Sequence, residues 1–283
     1  KRFFVFERFS CLFWCMADES AQEKDPRANV VEVQPMIDGG VADLVPITTG
    51  QIRRALLAQP LTLCSIIPFG LIGAYGYPRE GGAGLSWPHV GWGALGWYGA
   101  LVLRAPIIGV AQALKLSPQW TQLVAVLASG PCEEVVRALA LWAWPGQHDF
   151  HSAFSLGVGW AGIEVVFTVI QGLVMIKLLG KNDDKAREVR QKLLDFVGRD
   201  TAQDSPFWAP LERVGANMGH IWFTLAARLH PALFVPVAVV HSCTNWGIVS
   251  SIKRFGIARV ELAFVALSAS FFLAIFFTTR PGA

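Results

Sequence analysis

Beyond residue 60 the chain is built of long apolar runs separated by short polar connectors. Seven runs, at 60–77, 91–111, 120–144, 150–178, 207–229, 231–250 and 259–277, approach the length of a transmembrane helix. Such a helix needs about 20 mostly apolar residues to cross ~30 Å of hydrocarbon. A segment in lipid must bond its own backbone polar groups, so runs of this kind predict helices. The predicted fold class is all-α: a polytopic membrane bundle of about seven transmembrane helices.

The polar stretches complete the plan. Segment 180–205, "GKNDDKAREVRQKLLDFVGRDTAQDS", balances six basic against six acidic residues and predicts a short helix outside the bilayer. Residues 1–59 are expected to be a mobile polar tail, and 60–283 a transmembrane domain with 180–206 as its charged cytoplasmic loop or helix. The chain opens on "KRFFVFERFSCLFWC" and Met16 then begins a polar stretch, so residues 1–15 are expected to lie upstream of the true start.

Composition agrees with a membrane class. The 283 residues are 53% hydrophobic and 16% charged, whereas soluble domains carry about a quarter charged residues. A net charge of only +3, with no basic block interleaved with aromatics, excludes nucleic acid as a partner. The cysteines at 11, 15, 64, 132 and 243 are odd in number and form no CxxC pair, which argues against a disulfide framework or a thiolate metal site.

Basic residues orient the bundle. With the N-terminus cytoplasmic, Arg53, Arg54, Lys115, the six in 180–205, Lys253, Arg254 and Arg259 lie inside, against Arg79, Arg228 and Arg280 outside. The C-terminus is then outside, and the plasma (inner) membrane is the expected location. Tryptophans 87, 92, 120, 142, 144 and 208 fall near the proposed ends, where an interfacial aromatic belt belongs.

Against this background "GPCEEVVRALALWAW", residues 130–144, stands out. An ionised side chain at a helix centre costs at least ~2.5–3.5 kcal/mol on insertion scales. Glu133 and Arg137 are i,i+4 neighbours and suit an internal ion pair, leaving Glu134 for another partner. Gly130 and Pro131 predict an interrupted helix, with Ser129 as a cap. Further polar groups recur at membrane depth: Glu164 near the small-residue repeat Ala153, Gly157, Ala161; Arg213, Asn217 and His220 on one helix face; and His241 with Asn245 at i,i+4. Convergence on one interior site explains all of them together. A carboxylate and two imidazoles can activate a water, directly or through a bound metal. Arg137 and Asn245 offer donors for a developing oxyanion. Arg104, outside any motif, is expected to snorkel or to pair. Cys132 and Cys243, beside Glu133 and near His241, are expected to be inert buried thiols.

The order of these motifs resembles a known family. Glu-Glu-x-x-Arg at 133–137, a glycine-rich segment ending Gly-Ile-Glu at 164, Glu-Arg-x₆-His at 212–220 and His-x-x-x-Asn at 241–245 are similar to those of the YhfC family of intramembrane metalloproteases, within the PrsW and CAAX-processing (CPBP) protease superfamily. The resemblance covers the four-helix core, not the tail or the first two spans. It implies a membrane-embedded peptidase with Glu133, Glu134, His220 and His241 at its centre, supported by Arg137 and Asn245. Glu164, His220 and His241 are the ligands it would offer a zinc ion; a glutamic-type or inactive relative would need none. The expected partners are the lipid bilayer and a membrane protein or peptide substrate. Two departures matter: "GVGWAGIE" places Trp160 where the family has a histidine, and Glu-Glu-x-x-Arg, though it suits the YhfC form, is one residue shorter than the CAAX-protease form Glu-Glu-x-x-x-Arg. An inactive membrane scaffold derived from such a protease is therefore the alternative. A small-solute transporter ranks behind both, because no internal repeat is evident.

Overall fold

The computed structural model describes residues 46–76, 84–142, 149–197 and 204–280. Met16 and residues 1–15, Arg79 and Trp144 lie outside the described residues. Helix α1 (Thr49–Cys64) leads through a short α2 (Ile67–Leu71) into a π-helical turn, Ile72–Gly76. Next come α3 (Trp87–Ala113), α4 (Pro118–Trp142) and α5 (Phe150–Leu179). Helix α6 (Asp184–Val197) is the expected charged helix of the polar segment. Then follow α7 (Trp208–Ala227), a 3₁₀ turn at Pro231–Leu233, α8 (Phe234–Phe255) and α9 (Ile257–Thr279). Among the described residues there is no strand.

Among the described residues, five stretches are long and apolar enough to cross a membrane: Thr49–Gly76, Trp87–Ala113, Phe150–Leu179, Pro231–Phe255 and Ile257–Thr279. They are five of the seven expected spans. Helices α4 and α7 are not among them; they carry Glu133, Glu134 and Arg137, and Glu212 and Arg213. The first helix also starts earlier than expected, inside the stretch assigned to the tail. Thr48 and Gln51 form a capping box there, satisfying the orphan donors of α1.

Helix α7 is the hub. Every residue from Gly215 to Ala227 is buried, so it has no polar, water-facing side. It packs against α1, α5 and α9, while α3 lies on α4 and α5, and α4 on α8. Two glycines bring α3 and α5 into backbone contact: a Cβ at Gly93 would stand 2.0 Å from the Leu156 carbonyl oxygen, and one at Gly159 1.9 Å from that of Val90. Gly157, from the expected small-residue repeat, faces Ile221 and Thr224 of α7. In contrast, leucines, valines and phenylalanines on the outer faces of α1, α3, α8 and α9 stay exposed, as a lipid-facing surface requires.

One expectation about α4 is overturned. Pro131 lies inside a continuous helix, not at a break. Proline cannot donate to the carbonyl four residues earlier, here Leu127, and the Ser242 hydroxyl donates to that carbonyl instead at 2.8 Å. Ser129 is accordingly no cap; its hydroxyl donates to the Val126 carbonyl at 2.7 Å. At the start of α6, Asn182 takes φ 52°, a conformation asparagine tolerates. Its amide group bonds both backbone groups of Ile47, at 3.0 and 3.3 Å, and so ties the approach to α1 onto the α5–α6 turn.

Replacing Gly159 by Ala should push α3 off α5 and cost about 1–3 kcal/mol, lowering the melting temperature in detergent. Gly109→Ala, where a Cβ meets nothing within 4 Å, should leave it unchanged or raise it slightly.

Candidate functional site

Five helices aim ionisable side chains at one interior region, and these groups divide into two halves. In the first, α4 meets α3 and α5. Arg104 Nη2 donates to Glu133 Oε1 at 2.7 Å, and the Trp160 indole N–H donates to Glu133 Oε2 at 3.1 Å. Arg137 donates from Nε to Glu134 Oε2 at 2.8 Å, and from Nη1 to the His220 carbonyl at 3.1 Å and the Thr224 hydroxyl at 2.7 Å. Its guanidinium carbon lies 4.2 Å from the centroid of the Trp160 ring, close enough for a cation–π contact. Arg137 and Trp160 are both 0% exposed.

The expected Glu133–Arg137 pair is thus loose, at 4.0 Å. Arg137 takes Glu134 one residue nearer, and Glu133 takes Arg104 from another helix. Both spacings put side chains on one helix face, so sequence alone could not choose between them. Of the two roles expected for Arg104, snorkelling or pairing, it pairs, and nothing in the sequence signalled that Glu133 would be its partner.

The second half opens onto a cleft of about 50 Å³ floored by α7 and flanked by α8 and α9. One ordered water needs roughly 10–15 Å³ of such space, so a few waters fit. Glu164, His220, His241 and Asn245 line it, whereas Glu133, Glu134 and Arg137 do not. The Glu134 carboxylate reaches it indirectly: its Oε1 lies 2.9 Å from His241 Nδ1. A carboxylate accepts, so Nδ1 carries the proton and Nε2 of the neutral ring carries the lone pair. The His241 ring is stacked on Phe223, with centroids 4.9 Å apart and planes at 18°.

His220 has the opposite tautomer. Arg137 Nη2 lies 3.2 Å from its Nδ1 and can only donate, so the ring proton sits on Nε2. That nitrogen is 2.5 Å from Glu164 Oε2. Glu164 also accepts from the Trp97 indole at 3.2 Å and from Arg213 Nη1. Arg213 in turn grips Glu212 through both Nε and Nη2. Asn217, expected beside them, bonds instead to the Ser65 hydroxyl at 3.0 Å. Asn245 donates to the Ser129 hydroxyl at 2.9 Å.

Of the expected zinc ligands, Glu164 and His220 converge, with Glu133 in place of His241. One atom each from Glu133, Glu164 and His220 lies within 4.8 Å of the others, without His241. As arranged, this set does not fit a divalent cation. Guanidinium groups of Arg104 and Arg213 already sit on the two carboxylates, indoles of Trp160 and Trp97 donate to them, and both His220 nitrogens are engaged. A dication would face two fixed positive charges at contact range.

No family model matches the chain, and neither a curated protein nor a solved structure is significantly similar to it. The class that the coordinates themselves define is a helical membrane protein with a buried glutamate–arginine–histidine core.

Breaking a buried ion pair by removing one partner costs about 3–5 kcal/mol. Arg104→Met should therefore destabilise the protein by that order in detergent unfolding. Arg104→Met combined with Glu133→Gln should recover much of the loss.

Proposed function

We propose that this chain is a membrane-embedded peptidase in which His241, held by Glu134, is the general base. The observation that supports it most is the 2.9 Å Glu134–His241 contact beside a cleft large enough for water. Glu134 orients the ring and stabilises the imidazolium, as the acidic member of a catalytic triad does. Water in the cleft gives its proton to Nε2 and attacks a substrate carbonyl. Asn245, one turn along α8 and in the same cleft, supplies an amide donor for the developing oxyanion. The His241 proton then passes to the leaving amine.

The resemblance to the YhfC and CPBP proteases supports the same reading, on the residues quoted for it. The rim adds a substrate class. Val240, Leu267 and Phe271 line the cleft yet remain exposed on helices long enough to span a membrane. A peptide bond reaching His241 past them belongs to a membrane-resident chain. In this reading α4 and α7 also cross the bilayer, completing seven spans with the N-terminus cytoplasmic. At about 1.5 Å per residue, the 20 residues of α7 reach ~30 Å. The five apolar stretches shield their charges from lipid.

A second reading, the inactive scaffold, draws support from Trp160. Its indole fills the position of the family's histidine and completes the bonding of Glu133 and Arg137 without any reactive group. One experiment separates the two. Protein in liposomes is given a pool of single-span peptides, and products are read by mass spectrometry. His241→Ala should lower cleavage by at least about 100-fold while shifting the melting temperature little. Equal product from wild type and His241→Ala, or none from either, would leave the scaffold. Dialysis against a strong zinc chelator should leave cleavage unchanged; its loss would reinstate a metal.

A further inference from the structure

We propose that Gly130, Pro131 and Ser242 form a lock that positions His241 against Glu134, an inference that rests on His241 being the base. The lock begins with a missing donor. Pro131 cannot bond the Leu127 carbonyl, and a carbonyl left without a partner on a helix in lipid is costly. Ser242, adjacent to His241 on α8, fills the vacancy at 2.8 Å. Any rotation or slide of α8 that would carry His241 off Glu134 also breaks this bond.

Gly130 permits the approach. A Cβ there would stand 2.4 Å from the Ala238 carbonyl oxygen and 2.9 Å from the Ser242 amide nitrogen, both backbone atoms of α8. Only glycine lets the two backbones come this close. A second polar link, Asn245 to Ser129 at 2.9 Å, fixes α8 one turn beyond His241. The three residues thus hold α8 on either side of the imidazole, while Glu134 lies one turn past Gly130 on α4. None of them lines the cleft. They are positioning residues that act through the ring.

The test reads the ring itself. Full-length protein in nanodiscs, with ¹⁵N-labelled histidine, reports the tautomer of His241, assigned by difference from His241→Gln. Wild type should show the Nδ1–H form. Ser242→Ala should lose that preference and, on any peptide the wild type cleaves, lower kcat by about 10- to 100-fold with KM unchanged. Gly130→Ala should do the same or more; if it fails to fold, Ser242→Ala carries the test. Ser242→Ala with Pro131→Ala separates position from stability. The alanine N–H satisfies the Leu127 carbonyl, so the melting temperature should return while the tautomer and kcat do not. Wild-type ring shifts in Ser242→Ala, or full recovery of the tautomer in the double variant, would overturn the lock. Altered shifts in a protein that cleaves nothing would keep the lock and discard the peptidase.

Discussion

Ionised groups held out of water must find partners, and this one constraint organises the molecule. Glu133, Glu134, Glu164 and Glu212 are matched by Arg104, Arg137 and Arg213, all buried, together with two histidines. Each guanidinium reaches across or along helices to its carboxylate, so the pairs dictate which helices touch. Apolar surface alone would not do this, because in a bilayer lipid serves an outward-facing leucine as well as another helix does. Close packing at Gly93 and Gly159 and the buried pairs together give the bundle its fixed arrangement.

The polar core is not uniform, and its division carries the functional argument. Around Glu133, Arg137 and Trp160 the donors and acceptors complete one another away from the cleft. Around His220, His241 and Asn245 they border space that can hold water. Glu134 joins the halves: one oxygen anchors Arg137 and the other orients His241. A rigid half of this kind holds a reactive group still, which is what preorganised catalysis requires. The same rigidity would serve a scaffold, and only the open half distinguishes the two.

Much of this was legible in the sequence. Charged residues inside apolar runs are conspicuous, so Glu133, Glu134, Arg137, Glu164, His220 and His241 could be singled out and their convergence expected. The helices followed from run length, and α6 from the balanced charges of segment 180–205. Pairing was not legible, because the i,i+3 and i,i+4 positions of Arg137 are equally near on a helix and because Arg104 comes from another helix. Pro131 looked like a break since its compensating donor, Ser242, is distant in sequence. Helices α4 and α7 fall outside the five apolar stretches for a related reason: they trade hydropathy for charged groups, and those groups are buried. A capping box before α1 was visible in Thr48 and Gln51 but masked by the polar character of the segment.

The most direct measurement is an experimental density map of the cleft, sharp enough to show ordered water. A water is expected within hydrogen-bonding reach, about 2.6–3.2 Å, of His241 Nε2, with Nδ1 still on Glu134. A dry cleft, or an imidazole turned away from Glu134, would contradict it.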